Sequence, residues 1–181
     1  MSTGQTGTSK GGEFVAFGTS FPSEREAIVS LIDKIQVAEA CAGVALSNWA
    51  RNCKIPALRG GLRIIAEREA FHGRVFTQLI HDLGGEARAE LDPFSRESEA
   101  CLADPHLTDL EKLTNLVERN GDPQTLIRPV LEFAETLTDQ DSKEALKLYY
   151  ADEISSGNWL RDICATLTAE QASSAAIPQA A

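Results

Sequence analysis

Three apolar helical stripes, each interrupted near its middle by a carboxylate, constrain this chain more than any other feature. Ile28, Ile32, Ile35, Ala42 and Leu46 fall on one helical face, and Glu39 stands in the gap of that face. Leu58, Leu62, Ile65, Phe76 and Leu79 form a second stripe, with Glu69 and His72 in its gap. Leu146, Tyr149, Leu160, Ile163 and Leu167 form a third, interrupted by Glu153 and Ser156. No segment shows sustained strand alternation, so the expected fold class is all-α.

Helix punctuation divides the chain. Ser23 with Glu26 reads as a capping box that opens a first helix running to about Trp49–Cys53. Pro56 opens the second, which closes at Gly84-Gly85; Gly60-Gly61 inside it permits close packing. Residues 84–107 contain Pro93, Pro105 and many charges, too long a stretch for a simple turn, and read as a crossover. Thr108 with Glu111 opens a short helix to about Arg119, Asn120-Gly121-Asp122-Pro123 breaks it, and helical pattern resumes to about Thr138 with a kink at Pro129. Asp141 with Glu144 reads as a third box, opening the last helix. The expected architecture is a four-helix up-down bundle with one long crossover over residues 21–168. A Gly/Ser/Thr-rich stretch, residues 1–20, is expected as a flexible arm, and the low-complexity residues 169–181 as a disordered tail.

The interrupting acids carry the chemistry. A buried carboxylate must be protonated, paired or bound to a cation, and three meeting in one core repel one another. A divalent or trivalent metal relieves that repulsion and uses the oxygens as ligands. The turn between the first two helices lies near residue 54, with Glu39 15 positions before it and Glu69 15 after it, so an antiparallel pair sets them at one level. Glu69 and His72 are three apart and point at the same spot. Carboxylate oxygens with one imidazole suit iron, with manganese and zinc as alternatives. The purely structural alternative pairs these acids with Arg68 or Lys34 at the edge of the core.

These residues resemble the ferritin-like superfamily of bacterioferritins, rubrerythrins and related di-iron bundles, over about residues 23–168. There a Glu on the first helix and a Glu-x-x-His on the second bind one iron; a Glu on the third and a second Glu-x-x-His on the fourth bind the other. Glu39, Glu69 and His72 match the first half, and Asp152-Glu153-Ile-Ser-Ser156 is similar to the fourth-helix motif, with Ser156 where a His is expected. The matching level of the third helix falls near residues 120–128, which contain no Glu; Glu118, Glu132 and Glu135 are the nearest carboxylates. The resemblance thus implies a partial di-iron site with Glu39, Glu69, His72 and Glu153 as metal ligands, in an oxidoreductase acting with oxygen or peroxide. The alternative is a non-catalytic scaffold or partner-binding bundle that has lost its metal.

The net charge of −10 and the lack of a Lys/Arg cluster argue against nucleic acid. No apolar run approaches the ~18 residues of a membrane span, and the N-terminus lacks signal-peptide features. A cytoplasmic homo-oligomer is the resulting expectation. Cys41 and Cys164 read as small core residues, His81 as a helix-end cation, His106 as solvated, and Tyr149 as a neighbour of the acidic site.

Overall fold

Side-chain caps set most helix starts. In a computed structural model that describes residues 13–175, Ser23 accepts a hydrogen bond from the Glu26 amide at the head of α1 (Glu24–Asn52). Pro56 occupies the first turn of α2 (Pro56–Asp82). Asp92 caps α3 (Pro93–Ala103), a reciprocal Thr108–Glu111 box caps α4 (Asp109–Asn120), and Asp122 caps α5 (Pro123–Thr136). The last helix is α6 (Gln140–Ala175).

The architecture is all-helical apart from one small hairpin, β1 (Phe14–Ala16) and β2 (Thr19–Phe21). Several boundaries differ from the sequence expectation. Six helices stand among the described residues where four were expected. The crossover holds α3, because Asp92-Pro93 supplies both a cap and a first-turn proline. The break expected at Asn120–Pro123 is present and complete enough to separate two helices, α4 and α5, because Gly121 takes a left-handed φ of 62° and Asp122 starts a new cap. Residues 14–20, assigned to the arm, form with Phe21 a hairpin through a Phe17-Gly18 turn with positive φ at both residues. The helix expected to end near residue 168 continues to Ala175. Its cap is Asp139, whose carboxylate accepts from the Ser142 amide at 2.9 Å, two residues earlier than the Asp141–Glu144 box. Residues 1–12 and 176–181 lie outside the described residues.

The central packing unit is α1 against α2. They run antiparallel: Gln36 meets Thr77 at 3.3 Å, while Gly43, later in α1, abuts Ala70, earlier in α2. A Cβ on Gly43 would lie 2.9 Å from the Ala70 backbone nitrogen, so this glycine sets how closely the helices approach. Gly61 plays the same part toward α6, where a Cβ would fall 2.0 Å from the Trp159 ring. Both α4 and α5 pack on α6, and α3 lies over α1.

Two apolar clusters result. One contains Ile28, Ile32, Phe76, Ile80, Phe133, Leu146 and Tyr149. The other contains Leu46, Trp49, Leu58, Leu62, Ile65, Leu113 and Leu160. Cys53 and Cys164 belong to this second cluster, whereas Cys41, expected in the core, is half-buried. The interrupting acids fall at the level between the two clusters. Among the described residues no helix is long and apolar enough to cross a membrane.

Candidate metal centre

Each apolar stripe delivers its acid to the gap between the clusters. Glu39 from α1, Glu69 and His72 from α2 and Glu153 from α6 converge, and one ligand atom from each lies within 4.8 Å of the others. Glu39, Glu69 and His72 are buried; the Glu153 side chain is 23% exposed. The His72 Nδ1 lies 3.6 Å from Glu39 Oε2 and 3.7 Å from Glu153 Oε1. Ligands about 2.1 Å from a common ion stand ~3.4 Å apart in tetrahedral array and ~4.2 Å apart when opposite. The His72 contacts are already near the tetrahedral spacing, whereas a pair at the full 4.8 Å would have to close by about 0.6 Å to stand opposite across one cation, or by about 1.4 Å in tetrahedral array.

Three of these atoms, Glu39 Oε2, His72 Nδ1 and Glu153 Oε1, are buried without a hydrogen-bond partner. Orphaned buried acceptors cost about 1–3 kcal/mol each, more when charged, so their convergence on one point requires explanation. The donor set of three carboxylates and one imidazole fits a divalent cation of the iron, manganese or zinc kind.

The remaining atoms are held in place. His72 Nε2 lies 3.1 Å from Asp152 Oδ2, which fixes the ring and leaves Nδ1 facing the cluster. Tyr149 donates its hydroxyl to Glu39 Oε1 at 2.9 Å and stacks edge-on against His72 with ring centroids 5.1 Å apart. Arg68 Nη1 donates to Ser156 Oγ at 2.9 Å and to the Asp152 carbonyl at 3.0 Å.

Burial dominates the electrostatics. Desolvation pushes Glu39 up to about 7; Glu153's charge works in the same direction, while hydrogen bonds from Glu69 and Tyr149 oppose it. Glu69 is raised well above the usual carboxylate range by burial, and next by its hydrogen bond with Glu39. Glu153 is also raised well above that range, by burial first and by Glu69's charge second, with Arg68 opposing.

All four residues singled out as metal ligands thus meet. The third-helix candidates do not join them: Glu118, Glu132 and Glu135 are exposed, and α5 presents Ile127 toward this level instead. His81 lies exposed in the last turn of α2, and His106 is exposed in the α3–α4 connection. Sequence reasoning assigned no role to Asp152, and it named Arg68 only as a salt-bridge partner for the acids. Both immediately adjoin stripe residues, Glu153 and Glu69, and so sit about 100° off the inward line, on the flank where α2 and α6 meet. Comparison of the chain with family models, with curated proteins and with solved structures finds no match.

Proposed function

We propose that the protein is a ferritin-like metal-binding bundle whose centre holds a single divalent cation, iron before manganese or zinc. In this view α4 and α5 form one broken third rod beside α1, α2 and α6, with α3 in the crossover. The observation that carries the proposal is the meeting of Glu39 Oε2, His72 Nδ1 and Glu153 Oε1 as unpartnered buried atoms in one cluster with Glu69.

Arg68 is the reason for proposing one ion and not two. The place of a second imidazole is taken by Ser156, and Arg68 binds that hydroxyl. Its guanidinium lowers the proton affinity of both Glu69 and Glu153, as a second cation would. With iron bound, the centre would supply one-electron chemistry toward oxygen or peroxide, which is the oxidoreductase reading. The chain's own part is to orient His72 through Asp152, to hold Glu39 through Tyr149 and to surrender the carboxyl protons on loading. Exposed Val44, Ile64, Phe71 and Leu148 favour association with further copies, which size-exclusion chromatography tests.

The alternative is a scaffold without metal. It is favoured by Ser156 in the position of a ligand and by the absence of any third-helix carboxylate at the cluster. Metal analysis separates the two. Chelator-stripped protein incubated anaerobically with ferrous iron, or with zinc, should retain about one ion per chain and gain thermal stability. Retention below about 0.2 ion per chain would refute the metal proposal, given the near-stoichiometric loading expected of a preformed site. The scaffold reading predicts instead that Glu39→Gln with Glu69→Gln stabilises the fold under every metal condition.

A further inference from the structure

The carboxylate cluster is one end of a cavity of about 220 Å³. Its lining runs from Glu39 to Leu46 on α1, from Glu69 back to Ile65 on α2 and from Glu153 to Arg161 on α6. All three progressions head toward the α1–α2 turn, so the space extends along the axis from the acids. The opposite wall is the α4–α5 break, with Val117, Gly121 and Ile127, and α3 covers the side with Phe94 and Leu102.

The break is what leaves the space. A continuous third rod would pass a side chain across this level, and in the resembling bundles that side chain is a metal-ligating Glu. Here Gly121 reverses the backbone at φ 62°, Asp122 restarts the helix, and α5 lines the space with Pro123, Leu126 and Ile127, none of which can ligate a metal. The α3 lid is fixed from outside. Arg119 donates to the Phe94 carbonyl at 3.0 Å, pairs with Glu97 at 2.7 Å and covers the Phe94 ring at 4.3 Å.

We propose that this cavity is a binding pocket for a neutral, mainly apolar organic molecule somewhat larger than benzene, which presents one oxygen to the cluster of Glu39, Glu69, His72 and Glu153. An apolar cavity of about 150 Å³ takes benzene, so the volume here admits a six-membered ring with a short substituent. The walls set the apolar character: Ala42, Leu46, Ile65, Ile127 and Leu160 face the space. Glu39, more than nine-tenths buried, lines it while its Oε2 is unpartnered, which marks the polar end. Neutrality follows from the walls. A charged group set among Ala42, Leu46, Ile65, Ile127 and Leu160 would be buried without a counter-charge. What the oxygen meets rests on the proposed metal; the pocket's walls do not.

The probe is benzyl alcohol, titrated into zinc-loaded and into metal-free full-length protein, with methyl chemical shifts as readout and zinc content measured on the same samples. The expected result is saturable binding at about 1 mM or tighter, with the largest shifts at Ile65, Ile127 and Leu160. Ala42→Leu fills the space and leaves all four proposed ligands in place, so it should weaken the probe at least ~10-fold while zinc content is unchanged. Ile127→Phe serves the same purpose from the opposite wall if Ala42→Leu does not fold. Failure of both protein forms to saturate, or wild-type affinity in the folded cavity-filling variant, overturns the pocket, whatever the zinc content. Saturable, variant-sensitive binding to a protein that retains no zinc supports the pocket and refutes the metal.

Discussion

The pH dependence of stability should reverse sign when the cluster is loaded. In the unfolded chain Glu39 titrates near 4.5, whereas in the fold its carboxyl holds the proton up to about 7 because it is buried. Between these values the metal-free native state binds one more proton than the unfolded state, so stability falls as pH rises. The contribution is fully present below about pH 4.5 and is lost once pH has passed through about 7. Each tenfold change in proton affinity is worth ~1.4 kcal/mol, so Glu39 alone accounts for a loss of ~3 kcal/mol across that window. Glu69 and Glu153, raised in the same direction, add to it. The carboxylates with lowered affinity, Asp92, Glu111 and Asp122, work with the opposite sign but titrate below the window. A cation binds the deprotonated donors, so the loaded protein should gain stability over the same range. The assay is urea unfolding, followed by circular dichroism from about pH 4.5 to about pH 7.5, in chelator and in excess zinc. A metal-free midpoint that stays level or rises across the window would sink the reasoning, since it would mean that the acids are solvated or already paired. Glu39→Gln should flatten the Glu39 part of the slope and abolish its reversal.

Other consequences can be checked separately. Asp152→Ala frees His72 Nε2 and should weaken zinc affinity by about 10–100-fold at constant stoichiometry, measured by competition with a chromophoric chelator. Arg68→Gln combined with Ser156→His removes the resident guanidinium and supplies an imidazole; metal content should rise from about one toward about two ions per chain, and an unchanged content would contradict the role given to Arg68. Gly61→Ala drives a methyl into the Trp159 ring and should cost about 1–3 kcal/mol, read as a melting temperature lower by ~2–4 °C per kcal/mol.

The helices and the acids were legible because both are written in local periodicity. Glu39, Glu69 and His72 occupy positions where the 3.6-residue pattern calls for an apolar side chain, and only convergence makes such substitutions tolerable. The short α1–α2 turn fixed the register, so Glu39 and Glu69 could be set at one level from counting alone. The hairpin at residues 14–21 was not legible: its strands are three residues each, and its turn uses Phe17 at positive φ where Asn or Asp would have signalled it. It is held by tertiary contact, Phe14 and Phe17 against Phe133 on α5. The α3 helix was obscured by its prolines, which read as loop signals but act as a first-turn residue at Pro93 and a stop beyond Ala103 at Pro105. Asp152 and Arg68 were visible as residues but not as participants, because a position one step off a stripe faces a neighbour whose identity depends on how α2 and α6 are rotated.

The asymmetry of the cluster is itself evidence about what holds it. In the proposed ferritin-like frame the two places without a metal donor, one on the third rod and one at Ser156, lie on one side of the cluster and differ in physical character. Where the imidazole would stand there is a guanidinium bound to Ser156; where the carboxylate would stand there is an apolar cavity bounded by the α4–α5 break. On the other side Glu39, Glu69 and His72 are still braced by Tyr149 and Asp152. A core with no further use for charge would gain stability by replacing buried acids with packed hydrocarbon, often by 1–4 kcal/mol per buried ion pair or triad. Instead the protein retains Glu39 with a displacement worth ~3 kcal/mol near neutral pH, and aims unpartnered atoms from three helices at one point. The proposed single cation, sharing the acids' negative charge with Arg68 and open on its cavity side, would offset that strain and account for both halves of the asymmetry at once.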